Sequence, residues 1–303
     1  MPPTLLLRRA LAGLLLLAVA ACGGGTAEKP VTQSTALPPS APATPAPVRM
    51  IEQTWTIPGG PDEDGRPAML KARVFSPPGN GPFPVAIINH GSPGNPGRQI
   101  MELPSYREAS EWFVQRGYMV VLPLRRGYGE VGAWPENPGS CENPDFVAAG
   151  DAAADDIVAV VRHVRSLSRV KRDRILLVGQ SAGGFGAVAA GSRNPAGVFG
   201  VINIAGGRLA GDKDTKCAPD RLVAANEHFG KSARVPSLWL YSENDSYFDP
   251  ELSKRMVSAY GGAGGRAVYV LVGAFKEDGH TLFGDPDGRA TWTPYVASFL
   301  EAL

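Results

Sequence analysis

The sequence predicts an α/β domain: a mostly parallel eight-stranded sheet with helices on both faces. Three observations carry that expectation. From Met50 onward, short β-rich runs alternate with helical patterns. Several runs, Ile175-Leu176-Leu177-Val178 above all, are continuously apolar, as strands buried on both sides must be. The composition of the 303 residues, 44% hydrophobic and 19% charged with 37 Gly and 28 Pro, is globular and rich in turns. A coiled coil or a wholly disordered chain is thereby excluded. Thirty basic against 29 acidic side chains leave a formal charge of +1, which offers no field to attract nucleic acid.

The chain reads in three parts. Residues 1–21 open with Arg8 and Arg9 and continue into an apolar run, Ala10 to Ala21, of about twelve residues. A spanning helix needs roughly 20, so this run reads as a secretory signal. It ends in Val19-Ala20-Ala21-Cys22, which resembles the lipobox of bacterial lipoproteins and implies cleavage before Cys22, lipidation of that cysteine and a membrane anchor in the cell envelope. Gly23 rather than Asp after Cys22 resembles outer-membrane sorting if the source is Gram-negative. Residues 22–49, with six prolines between Gly23 and Val48 and almost no large apolar side chain, read as an extended tether. Residues 50–303 form the folded domain.

Within that domain the expected strands are Glu52–Ile57, Leu70–Phe75, Val85–Asn89, Met119–Leu122, Ile175–Val178, Val198–Ile204, Ser237–Tyr241 and Ala267–Leu271. Helical patterns span Tyr106–Arg116, Asp151–Ser166, Ala182–Asn194, Asp220–Phe229, Glu251–Tyr260 and Thr291–Leu303. Only about 30 residues separate Ile204 from the next strand, room for a small cap at most.

The chemistry concentrates where strands end. Gly179-Gln180-Ser181-Ala182-Gly183 places G-x-S-x-G between a buried strand and a helix rich in Ala and Gly. Such an elbow turns so sharply that Gly179 and Gly183 must lack side chains, and it presents Ser181 as a nucleophile at the helix N-terminus. After the strand Ser237–Tyr241 comes Asn244-Asp245, and after Ala267–Leu271 comes Asp278-Gly279-His280. The order Ser181, Asp245, His280 suits a triad in which His280 takes the serine proton and Asp245 orients the imidazole. Glu243 and Asp249 stand close enough to Asp245 that spacing alone leaves the acid open. Of the other histidines, His163 and His228 fall on helices, and His90 opens the loop His90-Gly91-Ser92-Pro93. There His90 reads as a brace. The backbone N–H groups of Ala182 and of Ser92 or Gly91 are the candidate oxyanion donors.

Taken together, Asn89-His90-Gly91-Ser92, Arg125-Arg126-Gly127-Tyr128-Gly129, the Ser181 elbow, Asn244-Asp245 and Asp278-Gly279-His280 resemble the α/β-hydrolase superfamily. Within it the chain is similar to dienelactone-hydrolase-like and prolyl-oligopeptidase-like serine hydrolases over about residues 70–303. The resemblance implies ester hydrolysis through an acyl-enzyme, without a cofactor. Dienelactone hydrolases proper use a cysteine where this chain has Ser181, so their lactone specificity is not carried over.

Cys141 and Cys217 form an even pair in a chain that reads as exported, and are expected to be joined. Given the superfamily's strand order, their parent strands lie about 14 Å apart, which loops of this length can bridge. No Cys/His spacing matches a metal site. Tyr128, Trp134 and Phe146 before the second helix, with Tyr247 and Phe248 after the acid, are the candidate substrate pocket. The expected function is a lipid-anchored or secreted bacterial serine hydrolase that acts on carboxylic esters. A prolyl-oligopeptidase-type peptidase is the rival enzyme, although only about 20 strand-like residues precede the core where such peptidases carry a large domain. A non-catalytic envelope binding protein that keeps the fold is the alternative from another class.

Overall fold

The computed structural model describes residues 32–33, 49–94, 97–129, 133–211 and 214–303. The signal segment, Cys22 and most of the tether lie outside the described residues. The elements run β1 (Thr32–Gln33), β2 (Ile51–Pro61), β3 (Pro67–Ser76), β4 (Phe83–Asn89), α1 (Arg107–Gln115), β5 (Met119–Pro123), α2 (Phe146–Ser166), β6 (Val170–Gln180), α3 (Ala182–Ser192) and β7 (Val198–Ile204). They continue with α4 (Pro219–Ser232), β8 (Ser237–Ser242), α5 (Pro250–Gly262), β9 (Ala267–Val272) and α6 (Arg289–Glu301).

Among the described residues these strands form one sheet in the order β1-β9-β8-β7-β6-β4-β5-β3-β2. β2, β3 and β5 pair antiparallel, and the pairings from β5 through β4 to β9 and β1 are parallel. The eight strands expected from sequence are all present. β1 adds a ninth, two-residue strand, Thr32 opposite Val268 and Gln33 opposite Tyr269, inside the segment read as a tether.

The continuous apolar runs have a direct cause. Alternate residues of β6 enter different cores: Ile175 and Leu177 pack toward α2, α3, α4 and α5, while Leu176 and Val178 pack toward α1 and α6. β5 and β8 divide in the same way, Met119 and Val121 against Val120 and Leu122, and Trp239 and Tyr241 against Leu238 and Leu240. At the strand ends the buried Asn89 side chain donates to the Val178 carbonyl at 3.0 Å and the Ile87 carbonyl at 3.3 Å, tying β4 to β6.

α2 starts five residues earlier than the sequence pattern suggests. Asp145 caps it by accepting from the Ala148 amide at 2.8 Å. Gly150 is a packing residue: a Cβ there would lie 2.6 Å from the Phe229 ring. Phe146 accordingly sits in the first turn of the helix and in the core.

Cys141 and Cys217 form a disulfide with their Cα atoms 5.1 Å apart. It joins the loop after β5 to the loop after β7, across the three strand pairings that separate those strands. Closing a segment of 76 residues restricts the unfolded chain, and such bonds typically contribute about 2–4 kcal/mol. The Cys141→Ala/Cys217→Ala variant is therefore expected to unfold several degrees below the wild type, at about 2–4 °C per kcal/mol. Thiol titration of the denatured, unreduced domain should find neither cysteine free, and two free thiols would refute the bond.

Candidate active site

Ser181 occupies the turn between β6 and α3 with φ 54° and ψ −126°, a backbone region that a residue bearing a side chain enters only under strain. Close packing leaves it no other path. A Cβ at Gly179 would lie 2.2 Å from the Gly183 carbonyl oxygen, and one at Gly183 would lie 2.2 Å from the Asn89 carbonyl oxygen. The Ser181 amide donates to Ile204 at 3.1 Å, and its carbonyl accepts from Phe185 at 3.0 Å and Gly207 at 3.2 Å. Ala182 is the first residue of α3, so its N–H has no partner within the helix and is open to a ligand.

His280 lies in the short turn Gly279–Thr281 that follows β9. Its Nδ1 is 3.0 Å from Asp245 Oδ1 and 3.2 Å from Oδ2. The same Oδ1 accepts from the Tyr247 and Phe248 amides at 2.9 and 3.0 Å, which fixes the carboxylate. The Tyr247 ring stacks on the imidazole with centroids 4.1 Å apart. Spacing left Glu243 and Asp249 as alternative acids, and geometry separates them. Glu243 is exposed, and Asp249 caps α5 through the Leu252 amide while pairing with Lys216 at 2.8 Å.

Asp278 clamps the two loops together, accepting from the His280 amide at 2.9 Å, the Ser246 amide at 3.1 Å and the Ser246 hydroxyl at 2.7 Å. Partial burial raises its carboxyl, but the Ser246 and His280 donors outweigh burial and hold it below the ordinary value. Asn244 completes the clamp: its side chain accepts from the Phe275 amide at 2.8 Å and donates to the Lys276 carbonyl at 3.1 Å.

His90 is a brace. It is fully buried, its Nδ1 faces the Gly91 carbonyl at 2.8 Å and its Nε2 accepts from the Arg125 amide at 3.2 Å. Burial, reinforced by the Arg125 charge, lowers its pKa from 6.5 to about 3, so it stays neutral where a general base would act. Between the two candidate loop donors the structure discriminates. The Gly91 N–H donates to the Tyr106 hydroxyl at 3.2 Å, so of the two it is the one already engaged within the protein.

Ser92, Ser181, Ala182, Trp134, Tyr247 and Phe248 line one cavity of about 460 Å³. Of the expected pocket residues, Tyr128 and Phe146 are absent from that lining, because both are buried in the core. A second cavity of about 440 Å³, beneath the β2–β3 turn and lined by Asp62, Glu63, Asp64 and Arg126, lies apart from Ser181. Among the described residues no cluster of His, Cys, Asp or Glu is arranged to hold a metal ion.

One side of the cavity rests on charges that sequence reasoning missed. Arg125 donates to Glu136 Oε1 at 2.5 Å and Arg208 donates to Glu136 Oε2 at 3.0 Å. Tyr128 donates to the same carboxylate at 2.9 Å. The adjacent Arg126 turns to another buried carboxylate, Asp156, which it meets at 2.7 Å and which also accepts from the Gly60 amide at 2.8 Å. The guanidinium carbons of Arg98 and Arg208 lie over the Trp134 ring, 4.3 and 5.0 Å from its centroid. The Arg125-Arg126 pair was the visible signal, since adjacent arginines beside a buried strand need counter-charges. Neither Glu136 nor Arg208 sits in a motif.

Burial raises the Glu136 carboxyl, but the Arg125 and Arg208 charges outweigh burial and bring its pKa from 4.5 to about 2. A depressed carboxylate pKa adds stability above the unfolded value, and that stability is lost as pH falls from about 4.5 toward about 2. Glu136→Gln leaves two buried guanidiniums without their counter-charge, at a cost of about 3–5 kcal/mol. Its Tm at neutral pH should fall accordingly, and the acid loss seen in the wild type should shrink. An unchanged Tm at both pH values would rule out the clamp.

The profile of the Prolyl oligopeptidase family matches residues 104–205, a stretch that includes Ser181 and stops before Asp245. A Klebsiella pneumoniae structure ascribed to the dienelactone hydrolases is 17% identical over 83% of this chain and 99% of its own, with TM-score 0.54. Acetyl xylan esterase from Paenibacillus sp. R4 is 14% identical over 83% of this chain and 87% of its own, with TM-score 0.57. Pyrococcus horikoshii acylaminoacyl peptidase is 15% identical over 83% of this chain but only 41% of its own, with TM-score 0.58. No curated protein matches by sequence. Likeness at such identities speaks to architecture, and it agrees with the strand order and the Ser181 elbow: the chain has the α/β-hydrolase fold of the dienelactone-hydrolase and prolyl-oligopeptidase type.

Proposed function

We propose that the chain is a serine hydrolase that cleaves carboxylic esters through an acyl-enzyme. The observation that carries this reading is His280 gripped at Nδ1 by Asp245 while Ser181 stands at a strained elbow in a cavity with two candidate oxyanion amides. In that reading Ser181 Oγ attacks the ester carbonyl and His280 Nε2 takes its proton. Asp245 stabilises the imidazolium, and the Ala182 and Ser92 amides receive the developing oxyanion. His280 then returns the proton to the departing alkoxide, and a water activated by the same base releases the acid.

Residues 50–303 should hydrolyse p-nitrophenyl esters in a series from acetate to dodecanoate, and Ser181→Ala and His280→Ala should each lose at least about 10³-fold in kcat. Asp245→Asn should lose about 10³- to 10⁴-fold through the wrong imidazole tautomer. Full activity in Ser181→Ala would discard the mechanism. If no ester is cleaved, cleavage of peptide substrates would point to the peptidase. Silence on both, together with no labelling by a serine-directed phosphonate, would point to a binding protein.

We further propose that the protein is exported and held on the bacterial cell envelope by a lipid on Cys22. The motif before Cys22 supports this, as does the Cys141–Cys217 disulfide, a bond that persists in oxidising compartments. Among the described residues no helix is long and apolar enough to cross a membrane. The full chain expressed in bacteria should partition into detergent, and Cys22→Ser should move it to the aqueous phase. Equal partitioning of both forms would argue against the anchor.

A further inference from the structure

The residue between Gly179 and the nucleophile has a side chain with two partners, and they belong to the two halves of the site. Gln180 Nε2 donates to the His280 carbonyl at 2.7 Å, and Gln180 Oε1 accepts from the Tyr106 hydroxyl at 2.8 Å. The Tyr106 oxygen in turn accepts from the Gly91 amide at 3.2 Å. Elementary chemistry sets every direction in this chain. A carbonyl only accepts, so the Gln180 nitrogen must face His280 and its oxygen must face Tyr106. Tyr106 must then donate to Gln180, and its lone pair receives the Gly91 N–H. Burial raises the phenol above its ordinary pKa, so the donating proton stays in place at working pH.

The surroundings hold these partners still. Tyr106 has φ 35° at the start of α1, another strained backbone position. Its ring packs 5.3 Å from Phe283, three residues beyond His280, and the Phe283 ring lies 5.3 Å from Trp292 on α6. The chain therefore links the loop carrying the oxyanion donor to the turn carrying the base, through the residue bonded to the nucleophile. His280 is restrained on every side: its N–H by Asp278, its carbonyl by Gln180, its Nδ1 by Asp245 and its ring face by Tyr247.

Resting on the reading of Ser181 as nucleophile, we propose that Gln180 and Tyr106 are positioning residues that set the spacing between the Ser92 oxyanion donor and His280 on either side of Ser181. Neither side chain lines the substrate cavity, so both act through the groups they hold. Their loss should slow attack on the ester while leaving substrate binding nearly unchanged.

Tyr106→Phe removes one oxygen and keeps the ring against Phe283, and Gln180→Met removes both hydrogen-bonding ends at similar volume. With the p-nitrophenyl ester that the wild type cleaves best, each variant should lose about tenfold in kcat, with KM within about threefold. The rate of phosphonate labelling at Ser181 should fall in parallel. Because the residues act as one chain, the double variant should lose little more than the worse single variant. Tm, measured alongside, should stay within a few degrees. Variants that keep kcat within twofold of an active wild type would overturn the proposal, as would additive losses in the double variant. A wild type that neither cleaves esters nor reacts with the phosphonate would instead overturn the reading on which the proposal rests.

Discussion

Everything in this site depends on the backbone path at the end of β6. Ser181 is held at positive φ, and no relaxed alternative fits, because α3 passes so close to β4 and β6 that Gly179 and Gly183 have no room for a Cβ. That approach aligns the N-terminus of α3 with the strand end, so the orphan Ala182 amide and the Ser181 side chain meet at one point. The strain is stored by packing and spent on presentation. It persists because the surrounding sheet, buried on both faces, outweighs a local cost of order 1–3 kcal/mol.

The second support is electrostatic. Two buried guanidiniums converge on Glu136, and a third meets Asp156, so the loop after β5 is fixed by charge where its irregular backbone has no strand to pair with. Pairs of this kind specify geometry more than they add stability, since desolvating the charges consumes most of the Coulomb gain. Their yield is a fixed wall. Arg208 and Trp134 face the cavity with their positions set from behind, and His90, neutral beside Arg125, braces the loop that begins at Gly91.

Much of this was legible in the sequence, for physical reasons that can be named. Strands buried on both sides announce themselves as unbroken apolar runs, and an elbow announces itself through the glycines that sterics demand. Both signals are local. The order Ser181, Asp245, His280 needed only the rule that functional groups follow strand ends, and the Asp245–His280 contact lies where that rule placed it. What stayed hidden was non-local. Glu136 is an ordinary loop glutamate until Arg208, 72 residues away, folds onto it. Tyr128 reads as a pocket aromatic in a loop, yet its hydroxyl serves the same buried carboxylate and its ring faces inward. Phe146 reads as a loop aromatic because the helical pattern is visible only from Asp151, yet it packs in the first turn of α2.

One buried side chain carries a consequence for specificity of assembly. A strand that is apolar on both faces has no hydrophobic pattern to oppose a slip of its pairing by one residue, since either register would bury the same kind of surface. β6 is such a strand, and a slip would carry Ser181 to the wrong height above the cleft. Asn89 breaks the degeneracy. Its side-chain amide reaches the Val178 carbonyl in the native pairing of Asn89 with Gly179, while its own oxygen is left without a partner among the described residues. A polar group that is imperfectly satisfied in the core thus acts as a ruler, and the depth at which Ser181 stands is read from it.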